Sequence, residues 1–541
     1  MVRRGKFRFL GNDVRIRLVS PQGECYRRAM NMTIDDMLPS LEVCERARLS
    51  RDPRFDGRFF TAVVSTGIYC RPMCPAPAPK AENVSYYASA AAAEAAGYRP
   101  CLRCRPELAP GGGAWRRGDS RLARALKLID EGVLAERPLA HLAERLSLSE
   151  RQLRRLFVER LGATPSQVHG TRRLLFAKQL LTETRLPITE IALAAGFGSQ
   201  RRFNAAFLDA YRIAPRELRG RSRAADGAAT TLTLRLGYRP PYDFEAMLDF
   251  LRGRALPGIE RVDASSYARV VGNLQQPGWL RVSAWPDGAH ALRLELHGAA
   301  TTKLLEIVTR LRRMFDLDAD PYAIAEVLAR DPRLAPLVER RPGLRLPSGW
   351  DGFEIAVRAV IGQRISVSAA RTLTSRLVQR FGVALAEPFA PGLERLFPPP
   401  EALAEGDLDA LGLTRARAAA LRAMAAALLE GQVDFRVERS LEEFAARWVR
   451  LPGIGPWTAH YIALRGLGHP DALPAEDLIV QRSIAGPGAR ITAKALIARF
   501  EAIRPWRGYA VIQLWREAQL CAPAPARRAP RPRPSALGGS S

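Results

Sequence analysis

The chain has 541 residues, which at about 150 residues per domain predicts three or four domains. Its 82 basic and 55 acidic residues give a formal net charge of +27, so polyanions are the expected partners and acidic or purely neutral small-molecule substrates are disfavoured. The composition is 47% apolar and 25% charged, which excludes a wholly disordered or fibrous chain.

The beginning of the chain shows little apolar periodicity, and an extension that is expected to be disordered is placed at residues 1–45. Met30 or Met32 opens a more ordinary sequence than Met1, so the true start stays open. Charges stand where a signal peptide needs an apolar stretch, and no window holds 18 uncharged apolar residues. The sequence therefore predicts a soluble intracellular protein with no membrane partner.

Four of the seven cysteines form two short-spaced pairs within residues 46–110. Three residues separate Cys70 from Cys74, two separate Cys101 from Cys104, and 26 residues lie between the pairs. Two such pairs can close a loop on one tetrahedral ion, so the spacing predicts one Zn²⁺ bound by four cysteines in a small α+β domain. On spacing alone, this zinc would only stabilise the domain.

The residues around the cysteines indicate a reaction at this site in addition to a structural role. The run FFTAVVSTGIYCRPMC, followed by ENVSYY and GYRPCLRC, resembles the methyl-acceptor domain of the Ada-type adaptive-response proteins over about Arg51 to Pro106. The resemblance implies that Cys70 takes a methyl group from a methylated DNA phosphate. Zinc keeps thiolates deprotonated at neutral pH, and a thiolate is the nucleophile that attack on a methyl carbon requires.

Methylation of one sulfur would reduce the negative charge of the zinc site and its repulsion from DNA phosphates, which predicts an electrostatic switch. Some members of the family carry basic residues after the second cysteine, where this chain has PAPAP. The remaining candidates for phosphate contacts in this domain are Thr66, Arg71, Arg99 and Arg103.

Residues 119–220 show a helical pattern that contains a weak internal repeat. Ser149, Phe157 and Pro165 recur 50 residues later as Ser199, Phe207 and Pro215. Each copy has the form of a helix, a tight turn and a second helix, with the second helices at about Ser149–Leu161 and Ser199–Tyr211. The pair resembles the AraC-type DNA-binding domain, which implies a monomer reading successive major-groove segments. The arginines expected to face DNA are Arg151, Arg154, Arg155, Arg201 and Arg202.

Strand-like alternation with one intervening helix predicts a small α+β domain at residues 231–302, and a helical pattern covers residues 303–520. The Pro/Ala/Arg-rich tail at 521–541 is expected to be disordered. Within the helical part, LPGIGPWTAHYIALRG has the form of a helix-hairpin-helix. Gly453 and Gly455 allow a tight turn whose backbone N–H groups can approach a DNA phosphate.

The hairpin is followed by Asp477, 22 positions after Gly455. With YRPPYDFEAMLDFL, RPGLRLPSGWDGFE, AVRAVIGQRISVSAA and RPWRGYAVIQLW, it resembles the AlkA-type 3-methyladenine DNA glycosylases of the helix-hairpin-helix superfamily. The resemblance implies that Asp477 is the catalytic carboxylate, with the adjacent Glu476 as the alternative. It also implies an aromatic slot for a flipped base, in which Phe250 is the weaker candidate. The candidates for the slot are Trp457, Tyr461, Trp506 and Phe250.

Three further expectations follow from the resemblance. Arg364 matches the wedge position, where some members of the family carry an apolar residue. Trp457 stands where bifunctional members of the superfamily carry a lysine, so no Schiff base and no strand cleavage are expected. No four-cysteine spacing follows the hairpin, so no iron–sulfur cluster is expected.

The sequence thus predicts a multidomain, mainly α protein that joins a methylphosphotriester sensor, an AraC-type regulator and a monofunctional AlkA-type glycosylase in an adaptive response to DNA alkylation. The expected partners are double-stranded DNA and RNA polymerase, and the expected location is the bacterial cytoplasm, at the nucleoid. The Pro-Cys-His-Arg signature of a second methyltransferase domain is absent, so direct reversal of O6-methylguanine is not expected. The alternative is a transcription regulator whose C-terminal half is a non-catalytic DNA clamp.

Overall fold

The computed structural model describes residues 38–111, 120–221, 231–298, 303–436, 440–486 and 488–521. The predicted N-terminal extension up to residue 37, the segments 112–119 and 222–230, and the tail from residue 522 lie outside the described residues.

The cysteine-rich part forms a four-stranded sheet in the order β3-β1-β2-β4, in which only β2 and β4 are parallel. The strands are β1 (Phe60–Val63), β2 (Ile68–Cys70), β3 (Val84–Tyr87) and β4 (Arg99–Pro100), and the helices are Leu41–Leu49 and Ala90–Ala95. The first helix corrects the predicted extension at 1–45. Its Cys44 is fully buried in a cluster with Phe59 and Tyr86. Nine residues offer too few periodic positions for this packing to be visible in the sequence.

The next part confirms the predicted repeat. Ser149 and Ser199 cap the second helices of the two copies, which are called the recognition helices below. Each helix begins one residue after its cap, and each serine oxygen accepts a backbone N–H. The sequence of buried and exposed residues is identical over 151–160 and 201–210. The helices of this part are Ser120–Asp130, Val133–Glu136, Leu139–Arg145, Glu150–Leu161, Pro165–Glu183, Ile188–Ala194, Gln200–Tyr211 and Pro215–Gly220.

The predicted small α+β domain is a five-stranded antiparallel sheet in the order β5-β9-β8-β7-β6, joined by the helix Phe244–Arg252. Alternate residues of β5, such as Leu234 and Leu236, are buried, as the period-two pattern predicts. The strands are β5 (Thr231–Gly237), β6 (Glu260–Val262), β7 (Ser266–Gly272), β8 (Pro277–Ala284) and β9 (Ala291–Gly298).

The C-terminal part is helical, with one correction to the all-α prediction. A two-stranded antiparallel hairpin of β10 (Val383–Ala384) and β11 (Arg395–Leu396) interrupts it. Strands of two residues are too short to give a period-two pattern. The helices are Leu304–Met314, Pro321–Leu328, Ala335–Arg340, Gly352–Ile361, Val367–Phe381, Pro400–Glu405, Arg415–Leu429, Leu441–Val449, Pro456–Leu467, Leu478–Ala485, Ala493–Arg499 and Arg507–Cys521.

The domains are in contact. One hydrophobic core combines the second helix-turn-helix unit, the five-stranded sheet and the helix Leu304–Met314. The fully buried Arg239 donates hydrogen bonds to the backbone oxygens of Asp56 and Gly111 on one side and of Asp318 on the other. Residues 231–520, called the glycosylase-like half below, therefore contact both preceding domains. Among the described helices, none has the length and apolar composition needed to cross a membrane.

Candidate functional sites

The structure brings the two predicted cysteine pairs together. The sulfur atoms of Cys70, Cys74, Cys101 and Cys104 all lie within 4.8 Å of one another. Sulfurs about 2.3 Å from a tetrahedral zinc stand about 3.8 Å apart, so this donor set fits Zn²⁺. Cys70 ends β2 and Cys101 follows β4, and the parallel pairing of these strands brings the two residues together.

Burial distinguishes the two pairs. Cys101 and Cys104 are buried, whereas Cys70 and Cys74 are half-buried. The first pair, which includes Cys70, is therefore the more accessible of the two.

Arg71 has a different environment from the one expected of a phosphate contact. Its Nε donates to Asp56 at 2.7 Å and its Nη1 donates to the carbonyl of Cys104 at 3.0 Å. Its backbone N–H donates to the Cys104 sulfur at 3.3 Å. Arg71 thus supports the cysteine cluster from inside. Of the other candidates, Thr66 and Arg103 are exposed and Arg99 is half-buried.

All five predicted arginines of the recognition helices are exposed, but the two helices differ in charge. In the first, Arg154 pairs with Glu150 at 2.8 Å and Arg155 lies 3.6 Å from Glu159. In the second, the described residues offer no ion pair to Arg201 or Arg202. The two predicted arginines of the second helix therefore keep their charge unpaired among the described residues, whereas two of the three in the first helix lie beside a glutamate.

The turn of the helix-hairpin-helix requires a glycine at one of the two predicted positions. Gly455 has a φ of −94°, and a Cβ there would meet no described atom within 4 Å. Gly453 has a positive φ of 76°, and a Cβ there would stand 2.8 Å from the Cβ of Ala420, so only glycine fits. Gln363 donates to the Gly453 carbonyl at 2.8 Å and to Thr458 Oγ1 at 3.0 Å. The next residue, Arg364, is exposed and has a φ of 56°. The predicted wedge residue therefore projects from a turn fastened to the hairpin.

Asp477 caps the helix Leu478–Ala485 and lies against two indoles. Its Oδ1 accepts the backbone N–H groups of Ile479 and Val480, both at 3.1 Å, and Nε1–H of Trp515 at 3.2 Å. Its Oδ2 accepts Nε1–H of Trp457 at 3.1 Å. These four donors fix the orientation of the carboxylate. The alternative, Glu476, is exposed, and no hydrogen bond or ion pair within the described chain holds its side chain.

The aromatic slot contains three of the four predicted residues and one that was missed. Trp457 stacks on Tyr461, with ring centroids 5.0 Å apart and planes at 26°. Trp515 lies 6.0 Å from Tyr461 and stacks on Phe250 at 6.4 Å. Phe250 comes from the helix of the α+β domain, so two domains build this slot beside Asp477.

Trp506 is not in this group, which corrects the predicted slot. Its ring packs edge-on against Tyr509 at 5.7 Å. With His469 and Asp471 it lines a cavity of about 760 Å³ that residues of the two N-terminal domains also line. Trp506 and Trp515 stand in the same sequence segment. Trp515, rather than Trp506, reaches the slot because the helix Arg507–Cys521 packs against Leu478–Ala485.

The inner wall of the slot carries positive charge that the sequence did not indicate. The guanidinium carbons of Arg254 and Arg465 lie 3.7 and 4.4 Å from the centroid of Phe250. Arg465 is 3% exposed, and burial lowers its pKa to about 10. Its Nη1 donates to the hydroxyl of Tyr461 at 3.3 Å.

Four family models match the chain. They are the metal binding domain of Ada at residues 43–107, a helix-turn-helix domain at 142–221, the AlkA N-terminal domain at 233–351, and the HhH-GPD superfamily base excision DNA repair protein at 357–501.

Three curated proteins illustrate the similarity. The "Probable bifunctional transcriptional activator/DNA repair enzyme AlkA" of Mycobacterium tuberculosis (strain CDC 1551 / Oshkosh) is 39% identical over 487 residues, which cover 88% of this chain and 97% of that protein. The "DNA-3-methyladenine glycosylase 2" of Escherichia coli (strain K12) is 37% identical over 285 residues, 52% of this chain and 95% of that one. The "Bifunctional transcriptional activator/DNA repair enzyme Ada" of the same strain is 40% identical over 151 residues, 28% of this chain and 40% of that one.

Proposed function

The chain belongs to the family of bifunctional transcriptional activator/DNA repair enzymes AlkA, which joins a DNA-binding regulator to a DNA glycosylase in the response to DNA alkylation, and we propose that Asp477 is the carboxylate through which this chain excises alkylated bases. The observation that carries this proposal is the position of Asp477. It is held by four N–H donors between two indoles of an aromatic slot, next to a helix-hairpin-helix.

In this proposal the base is turned out of the duplex into the slot formed by Trp457, Tyr461, Trp515 and Phe250. The bond between C1′ and the base nitrogen breaks, and its electron pair leaves with the base. Asp477 stabilises the positive charge that develops on the sugar or orients the water that attacks C1′. Electron-rich rings stack favourably on cationic alkylpurines such as 3-methyladenine, which favours these bases as substrates.

We also propose that the glycosylase is monofunctional. The hairpin position at which a lysine would form a Schiff base holds Trp457, and this indole is bound to Asp477. Borohydride should therefore trap no covalent protein–DNA complex, and abasic sites should break only on later alkali treatment. A trapped complex would contradict the monofunctional mechanism.

The zinc site binds one Zn²⁺ through its four cysteines, and we propose that Cys70 is the methyl acceptor. When bound, zinc keeps the four sulfurs as thiolates. The half-buried Cys70 can approach a methylated phosphate, whereas Cys101 and Cys104 are buried. A sulfur–carbon bond forms, the oxygen–carbon bond of the ester breaks, and the phosphodiester leaves as an anion. The methyl group stays on the protein, so the transfer is stoichiometric.

We further propose that the protein binds promoter DNA as a monomer and contacts RNA polymerase there. Two capped recognition helices within one chain support monomeric binding, since each can occupy a separate major-groove segment. Analytical ultracentrifugation with promoter DNA and RNA polymerase tests both parts. A dimer on DNA, or no ternary complex, would contradict them.

The glycosylase proposal is tested by incubating the purified protein with methylated duplex DNA and measuring released bases. We expect release of 3-methyladenine in excess over protein. Binding to an abasic-site analogue without any base release would instead favour a regulator with a non-catalytic DNA clamp.

A further inference from the structure

The hydroxyl of Tyr461 stands at the charged inner wall of the base slot. It accepts an N–H from Arg465. The guanidinium group of Arg465 also lies over the ring of Phe250, as does that of Arg254. The Tyr461 ring itself lies between Trp457 and Trp515, the two residues that donate to Asp477. The hydroxyl therefore belongs to the same site as the carboxylate.

Neither guanidinium has a carboxylate partner within the described residues. Arg465 donates to the carbonyl of Pro347, and Arg254 donates to the carbonyl of Phe250. The neighbouring Arg358, by contrast, is bound to Glu260 and Glu354. Two positive charges thus remain uncompensated beside one phenol.

This arrangement leaves the proton of Tyr461 directed away from the arginines. Burial raises the pKa of Tyr461, but the charges of Arg465 and Arg254 outweigh burial and hold that pKa below its usual value. A guanidinium can only donate, so the phenolic oxygen is the acceptor in these contacts. Within the part of the chain that the structure describes, no side chain or carbonyl accepts the hydroxyl proton of Tyr461.

We propose that the Tyr461 hydroxyl donates a hydrogen bond to the leaving base, and that Arg465 and Arg254 are the positioning residues that polarise it. The proposal rests on the glycosylase function assigned to Asp477. As the bond from C1′ breaks, the base takes the electron pair. Water then attacks C1′. Its proton passes to the departed base when that base has left as an anion, and to solvent when the base has left as a neutral molecule, so Tyr461 keeps its own proton throughout.

The charge of the leaving base decides how much this hydrogen bond contributes. A cationic alkylpurine leaves as a neutral molecule and needs little stabilisation. An uncharged purine leaves as an anion, so a polarised donor in a water-poor slot stabilises its transition state more strongly. Tyr461 therefore determines activity on uncharged purines more than on cationic ones.

The test compares single-turnover excision of hypoxanthine, an uncharged base, with that of 7-methylguanine, a cationic base, from matched duplexes. Tyr461→Phe should lower the hypoxanthine rate about tenfold or more and change the 7-methylguanine rate less than about threefold. Tyr242→Phe is the matched control. Its buried hydroxyl donates to the Phe315 carbonyl at 2.9 Å, away from the slot, and both rates should stay unchanged.

Equal losses on the two bases, or no loss on either, would overturn the proposal, and so would a wild-type protein that excises 7-methylguanine but not hypoxanthine. A wild type that excises neither base would instead overturn the glycosylase function. The wild type alone provides a second measurement. Replacing N3 or N7 of hypoxanthine by carbon should, for one of these two atoms, slow excision more than it slows uncatalysed hydrolysis. If neither replacement slows excision more than uncatalysed hydrolysis, the base accepts no hydrogen bond at N3 or N7 and the proposal fails.

Discussion

At the scale of single residues, Asp477 has two tasks that one substitution separates. Its oxygens cap a helix and bind two indoles, and its charge is proposed to support departure of the base. Asparagine caps helices as well as aspartate does but carries no charge. Asp477→Asn should therefore lower base excision by about 10² or more while binding to DNA with an abasic-site analogue stays nearly unchanged.

Glu476→Gln is the matched control for this change. The exposed Glu476 has no described side-chain partner, so its variant should excise bases at the wild-type rate. Single-turnover assays on 3-methyladenine-containing DNA measure both variants. Full activity of Asp477→Asn together with an inactive Glu476→Gln would show that the wrong carboxylate was chosen.

The two tryptophans of one segment provide a second comparison at this scale. Trp515→Phe removes the N–H that Oδ1 of Asp477 accepts but keeps an aromatic ring beside Phe250, so excision should fall by about tenfold, the effect of one charge-assisted hydrogen bond. Trp506→Phe should leave excision unchanged, because the buried Nε1 of Trp506 has no described hydrogen-bond partner. A larger loss of excision in Trp506→Phe than in Trp515→Phe would show that Trp506 belongs to the slot.

At the scale of elements, the two recognition helices should contribute unequally to the salt dependence of DNA binding. Each phosphate contact contributes about 0.9 to the slope of log K against log salt concentration. Arg201→Ala with Arg202→Ala should reduce the slope by about 2 if both arginines contact phosphates. Arg154→Ala with Arg155→Ala should reduce it by less, because Glu150 and Glu159 already pair with these side chains.

Promoter binding measured by fluorescence anisotropy across a salt series gives both slopes. Equal reductions by the two double variants would show that the intrahelical pairs open on DNA.

Elements defined by local signals were predictable from the sequence, and those defined by long-range packing were not. The recognition helices begin where their capping serines predict, because a cap involves only residues within three positions. The strands around the helix Phe244–Arg252 followed from their alternation. The contact between Trp515 and Asp477 joins residues 38 positions apart, and no local pattern distinguishes Trp515 from Trp506.

The site shows the same division. Metal ligands were recognisable because their spacing is short. The buried charge of Arg465 against the Phe250 ring was not, because these two residues come from different domains. Arg71 was expected to face DNA, but its partner Asp56 lies 15 residues earlier in the chain and turns it inward.

At the scale of the whole molecule, Arg239 links the glycosylase-like half to the zinc domain. Its guanidinium binds the carbonyls of Asp56 and Gly111, and Asp56 in turn binds Arg71, next to Cys70. Arg239→Ala would leave several buried carbonyls without donors, which should destabilise the protein by about 3 kcal/mol or more. We expect calorimetry to show one unfolding transition for the wild type, and separate unfolding of the zinc domain and the glycosylase-like half in Arg239→Ala.

Arg340→Ala is the control for this variant, since it removes an exposed arginine that pairs with Glu517 within the glycosylase half. Its unfolding profile should match that of the wild type. An unchanged single transition in Arg239→Ala would show that the buried arginine does not couple the domains.

The central claim is that one chain carries two separable reactions, methyl transfer to Cys70 and base excision through Asp477. The most direct measurement is incubation of the wild type and Asp477→Asn with methyl-labelled DNA, followed by separate measurement of released bases and of protein-bound methyl located by peptide mass spectrometry. The wild type should release many bases per protein and hold one methyl group on Cys70, whereas Asp477→Asn should hold the same methyl group and release almost no base. Label on Cys74, no label at all, or loss of both reactions in Asp477→Asn would contradict the account.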